Sequence, residues 1–217
     1  MEISDFEQKL AKYAELVVKV GLNLQPEQRL IIYATPLEVA PLVRKVVESA
    51  YRNKSKLVSV LWLDEHLDKI RLKHAPRDSF EEYPAWTLDG VQGCIEHGDA
   101  FLQVVGLNPD LLKDQDPELL GIANRTKAVH RKPISKHQGN NSVQWSVACP
   151  PTPDWAAKVF PQEPTQSAEI RLWDAVTKAC RLDHPDPINF WQQQPGTNRR
   201  HVSRRWRVCS ADAGQGG

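Results

Sequence analysis

Asp64-Glu65-His66-Leu67-Asp68 gathers four metal-ligating side chains within five residues, directly after an apolar run. Carboxylate and imidazole are ordinary ligands of divalent ions, so this segment is the first place to look for a metal centre. Its spacing does not make one. The H-E-x-x-H pattern sets two imidazoles on one helix face, whereas here Asp64 and Asp68 share a face and His66 points elsewhere. Acids near the positive end of a helix dipole give the plainer reading, a solvated helix start. The seven histidines (His66, His74, His97, His130, His137, His184, His201) pair at no zinc-like spacing. His130-Arg131-Lys132 and Lys136-His137 form a modest basic stretch that reads as a surface loop, with phosphate binding as the alternative.

Nucleophilic chemistry finds no better footing. There is no Gly-x-Ser-x-Gly elbow, and Cys94, Cys149, Cys180 and Cys209 form no C-x-x-C pair. The first three lie in apolar surroundings, as buried thiols of a reducing compartment do. Thr35-Pro36 follows an apolar run without a glycine-rich turn, which excludes a dinucleotide fingerprint and a P-loop. With Glu38 three residues on, Thr35 is expected to cap a helix. Trp145, Trp155, Trp173 and Trp191 each sit in apolar periodic context and read as core or interface anchors rather than a base-stacking set.

The elements that must position these residues alternate strand and helix. Phe6, Leu10, Tyr13, Val17 and Val20 form a helical stripe, with Gly21 expected as its C-cap. Arg29–Thr35, Lys56–Leu63, Asp99–Gly106 and Ser142–Cys149 are the expected strands. Between them come a helix presenting Val39, Leu42, Val43, Val46, Val47 and Ala50, a capping box at Ser79–Glu82, and a helix opened by Asp116-Pro117-Glu118. Thr152 and Pro153 start a short helix, and Ala168, Leu172, Trp173, Val176, Ala179 and Cys180 mark a final amphipathic one. Strands joined through helices imply right-handed crossovers. The expectation is an α/β three-layer fold, a mostly parallel sheet of four or more strands flanked by helices.

The domain is expected over 1–182, with a linker and the start of a helix at 183–194. A different kind of sequence follows at 195–217. Its five arginines (Arg199, Arg200, Arg204, Arg205, Arg207) and one acid, Asp212, give +4, so the first 194 residues carry −3 of the chain's net +1. A near-neutral body has no electrostatic footprint for nucleic acid. The tail alone would bind it weakly and with strong salt dependence. No basic and apolar leader is visible at the N-terminus and no apolar run has membrane-spanning length, so a cytoplasmic location is expected.

Four segments bear a resemblance to a known family: Tyr13–Gln28, Val58–Asp64, Val143–Pro161 and Leu172–Trp191. Together they resemble the aminopeptidase T and aminopeptidase S metallopeptidases, over about residues 5–194. The Trp145-to-Trp155 stretch, with its Pro-Thr-Pro-Asp-Trp-Ala run, is the most specific. Members are roughly twice as long as this chain. They bind a pair of divalent ions (Zn, Co or Mg) and remove N-terminal residues from peptides. The resemblance implies a homodimer when intact and an N-terminal domain bordering the active-site cleft. The family's metal ligands lie downstream of the matched segments, so no catalytic, cofactor-binding or metal residue carries over to a position here, and no metal is expected to bind this chain. The aperiodic stretch from Pro195 departs from the family pattern, which continues as a helix. It reads as out-of-frame translation, with a native disordered end as the alternative. A free-standing α/β small-ligand or interaction domain without activity is the other functional reading.

Overall fold

β1 (Arg29–Thr35) is an apolar run that buries both of its faces, Leu30, Ile31, Ile32 and Ala34 among them. It therefore belongs in the middle of a parallel sheet, where helices cover both sides. A computed structural model describes residues 3–194, Leu107 and Asn141 excepted. The sheet has the order β2-β1-β3-β4, with β2 (Leu57–Trp62), β3 (Ala100–Val105) and β4 (Trp145–Ala148). Every pairing is parallel: Leu30 lies between Val58 and Ala100, and Phe101 opposes Trp145. The expected α/β three-layer class is the one found.

One face carries α1 (Ile3–Leu16), α2 (Ala40–Arg52) and α7 (Thr165–Ala179). Leu10, Tyr13, Leu42, Val43, Val46, Trp173 and Val176 meet Leu30, Ile32, Ala34, Leu102 and Val104 in the main core. The opposite face carries α4 (Ala85–His97) and α5 (Pro117–Gly139), over a thinner cluster of Ile31, Phe101 and Val143. α3 (Glu65–His74) joins β2 to the later elements without burying any residue. α6 (Pro153–Val159) packs on α7 through Ala156, Ala168 and Leu172.

The segment 183–194 contains α8 (Pro187–Gln192), capped by Asp186, whose carboxylate accepts the Asn189 N–H at 2.9 Å. Ile188 and Trp191 pack against the main core, and the Trp191 indole N–H donates to the Cys180 carbonyl at 2.9 Å. The expected departure at 195–217 lies outside the described residues.

Several local expectations are corrected. Thr35 caps nothing. Its carbonyl stays in the sheet and accepts the Gly106 N–H at 2.9 Å. The Thr35–Pro36 bond is cis and Pro36 is extended (ψ −171°), so the chain turns only at Leu37–Val39, in a 3-10 turn, before α2 begins at Ala40. The Ser79–Glu82 box is likewise not a helix start. Ser79 lies inside a 3-10 turn, Arg77–Glu81, and its hydroxyl donates to the Pro76 carbonyl at 2.7 Å. Gly21 does not cap a helix in the left-handed conformation. It ends a π-helical turn, Val17–Gly21, that buries Val18 as well as Val17 and Val20. A Cβ at Gly21 would sit 3.0 Å from the Ser146 hydroxyl, so close approach to β4 is what glycine provides there. Ala179 is exposed at the end of α7, while Thr177 is buried in its stead. The caps at Asp116 and Thr152 are found where expected.

Candidate functional site

In an open parallel sheet, ligands bind beyond the carboxyl ends of the strands, at the point where the strand order reverses. Here that point lies between β1 and β3, since the chain passes from β1 to β2 on one side and returns to β3 on the other. The residues that would frame a ligand there are Thr35 at the end of β1, Pro36 after it and Gly106 after β3.

The crevice is filled by the protein itself. A Cβ on Gly106 would lie 2.4 Å from Thr152 Cγ2, 3.1 Å from Val39 Cγ1 and 3.5 Å from Pro36 Cδ. Thr152 is buried, and its hydroxyl donates to the Gly106 carbonyl at 3.1 Å while accepting the Trp155 N–H at the start of α6. One threonine thus closes the switch point and caps the next helix.

Outside this plug lies a polar rim. Glu65 Oε1 accepts the Asn108 N–H at 3.0 Å, and the Asn108 carboxamide donates to Asp154 at 3.0 Å. Asn108 Oδ1 in turn accepts the Asp110 N–H at 2.9 Å. Lys158 bridges both Asp110 oxygens at 3.1 and 2.9 Å, and this hydrogen-bonded ammonium holds the Asp110 carboxyl below the usual carboxylate range. The carboxylates of the expected Asp64–Asp68 segment are largely spent on structure. Asp64 accepts the His66 N–H at 2.9 Å as the N-cap of α3, and Glu65 binds Asn108. Among the described residues, no group of three or more His, Cys, Asp or Glu side chains could hold a metal ion.

A second polar grouping escaped the sequence reading. His97 Nδ1 lies 2.8 Å from Asp99 Oδ1, and Asp99 is buried. The Cys94 thiol also meets this carboxylate; burial first, then the Asp99 charge and hydrogen bond, push the thiol pKa up. A protonated thiol is a poor nucleophile, and the trio lies at the amino end of β3, away from the ligand end. Spacing alone gave no signal for it, because the left-handed Gly98 (φ 81°) turns the chain between His97 and Asp99.

The basic stretch is helical rather than a loop, being part of α5, and its members disperse. His130 stacks on Tyr83 with centroids 5.1 Å apart and bonds to the Thr126 carbonyl. His137 pairs with the Ser142 hydroxyl at 2.7 Å. Arg131 faces a shallow depression with Tyr33, Gln103 and Trp145, where burial raises the Tyr33 phenol and Arg131 opposes that rise.

The described residues form a doubly covered parallel sheet whose ligand end is closed by its own threonine and whose polar rim is bonded to itself. Its lineage is clear from the sequence model of the thermophilic metalloprotease (M29) family, which matches residues 6–204; the chain belongs to that family. It is 43% identical over 188 residues to aminopeptidase 2 of Geobacillus stearothermophilus, a match covering 87% of this chain and 45% of that protein. To aminopeptidase T of Thermus thermophilus it is 36% identical over 187 residues, covering 86% and 46%. The solved structure of wild-type AmpT from Thermus thermophilus superposes with a TM-score of 0.77 at 35% identity, over 82% of this chain and 45% of that one. The chain spans less than half the length of these relatives.

Proposed function

We propose that this sequence is the front part of a metal-dependent aminopeptidase, an enzyme that hydrolyses N-terminal residues from peptides, and that residues 1–182 are its N-terminal α/β domain, followed by a linker and the start of a helix at 183–194. The observation that carries this reading is the 43% identity to aminopeptidase 2 over 188 residues, with less than half of that protein covered. Within the described residues the chain offers structure rather than chemistry: Thr152 and Gly106 close the strand ends, and the carboxylates of the rim are bonded to the backbone and to Lys158. The metal ions of the intact enzyme (Zn, Co or Mg) would be held outside these residues. The intact protein would be a cytoplasmic homodimer acting on peptides. No helix among the described residues is long and apolar enough to cross a membrane. The closed switch point also counts against a free-standing module that grips a small ligand at its strand ends.

Two measurements test this. The purified chain, supplied with Zn, Co or Mg, is expected to release no amino acid from aminoacyl chromogenic substrates. Hydrolysis that a chelator abolishes would overturn the assignment of this chain as inactive. Resequencing the DNA from codon 180 onward tests the truncation. Another frame that continues the helix after Trp191 supports an interrupted aminopeptidase gene, and a genuine stop with no family-like sequence beyond it refutes one.

A further inference from the structure

The face of the sheet under α5 holds polar side chains that the protein leaves without partners. Tyr33 on β1 pairs in register with Gln103 on β3, and Phe101 on β3 with Trp145 on β4. Alternate residues of a strand share a face, so these four side chains stand together, opposite Leu102 and Val104 of the main core. α5 sets Arg131, Ile134 and Gln138 over them, at the spacings of three and four that one helix face provides, and a shallow depression remains between helix and sheet.

The Trp145 indole N–H donates to the Gln138 carbonyl at 3.1 Å, which fixes this ring against α5. Three polar side chains line the depression with it: the Tyr33 phenol, the Gln103 carboxamide and the Arg131 guanidinium. All three are partly buried, and none makes a hydrogen bond or ion pair with another described residue. Charged side chains drawn into a protein are ordinarily paired. The ionisable groups that act on the Tyr33 phenol are Arg131, Cys94 and Tyr83, with no carboxylate among them. The depression is therefore positive and rich in donors. Donors around a positive charge call for an oxyanion, and the planar fork of a single arginine matches a carboxylate. The flanking Phe101 and Trp145 rings suit a flat apolar body attached to it.

We propose that this depression, with Arg131 at its head and Tyr33 and Gln103 beside it, binds a small carboxylate that carries a flat apolar group. The site lies on the flank of the sheet and leaves the plugged strand ends undisturbed. Such binding asks nothing of the aminopeptidase chemistry, so either can fail without the other. Sodium benzoate is the probe, titrated at fixed ionic strength into the isotopically labelled chain and followed by the amide and indole N–H resonances. Saturable shifts with a dissociation constant of about 1 mM are expected. Benzamide, which has the same ring and no charge, should bind about tenfold more weakly. Arg131→Leu should weaken benzoate binding by about tenfold or more, and Tyr33→Phe by a smaller factor. Lys132→Leu, which removes an exposed charge next in sequence, should leave it unchanged. Far-ultraviolet dichroism checks that the variants keep the fold, and the benzamide comparison needs no variant. The site is overturned by the absence of a saturable shift up to about 20 mM, by equal affinity for benzamide, or by equal losses in Arg131→Leu and Lys132→Leu. Inorganic phosphate binding as tightly as benzoate overturns the assignment to a carboxylate as well.

Discussion

Gly106→Ala is expected to destabilise the domain by about 2 kcal/mol or more, the range for forcing atoms into a packed site. The added methyl group would stand 2.4 Å from Thr152 Cγ2 and 3.1 Å from Val39 Cγ1, and neither neighbour is free to retreat. Val39 is buried in the turn that leads into α2, and Thr152 is held by its bond to the Gly106 carbonyl and by its capping of α6. A second substitution makes the argument specific. Thr152→Ser removes Cγ2 while retaining the hydroxyl that makes both bonds. In the Gly106→Ala background it should therefore recover a substantial part of the loss, with the Val39 contact accounting for the rest. Urea midpoints of the two single variants and the double variant give the coupling directly. Additive effects would mean that the clash with Thr152 is not the cause.

Trp173→Ala is expected to cost about 3–5 kcal/mol, the range for a buried large aromatic. Against a total stability of about 5–15 kcal/mol, this brings the chain close to unfolding. Trp173 is buried where α7 crosses α1, with its ring edge-on to Phe6 at 5.3 Å and to Tyr13 at 6.4 Å. Its removal would leave a void between two helices and the sheet. The indole contributes through contact and not through its polar atom, because its N–H is buried without a hydrogen-bond partner. Trp173→Phe should accordingly cost much less than Trp173→Ala. It keeps an aromatic face toward Phe6 and Tyr13 and relieves an unsatisfied donor. Thermal melts of both variants decide the matter, and equal losses would show that the N–H is bonded after all.

The fold was legible wherever one residue type answers to one local geometry. β1 was bounded to the residue, because an apolar run ending at Thr35-Pro36 leaves little choice. Asp116 and Thr152 followed by proline were recognisable as caps and proved to be caps. The same reasoning failed at Thr35 and Ser79, which carry equally good capping letters. At Thr35 the neighbouring strand holds the backbone in the sheet through Gly106, and no local pattern encodes that partner. At Ser79 a 3-10 turn between two prolines uses the hydroxyl internally. β4 came out shorter than the expected Ser142–Cys149, mostly at its start, since pairing with β3 begins only at Trp145 and ends at Ala148. The family was legible from four segments, and its match now covers residues 6–204. The plug of Thr152 on Gly106 and the meeting of His97, Asp99 and Cys94 were not legible. Each depends on distances between chain segments, or on a backbone twist, that composition does not record.

The π-helical turn after α1 bears on which changes of length this protein tolerates. The Leu22 N–H reaches back to the Val17 carbonyl at 2.8 Å, closing a ring one residue larger than an α-helix would. Each residue of an α-helix rotates the chain by about 100°, so the extra residue sets the angular phase of everything before it. Removing any one codon in 17–20 would restore an ordinary turn and swing Leu10, Tyr13 and Phe6 by that angle, away from the sheet and Trp173. Exchanges among valine, isoleucine and leucine in the same stretch keep the phase. Among related chains, this stretch should therefore vary freely in apolar side chain and hardly at all in length.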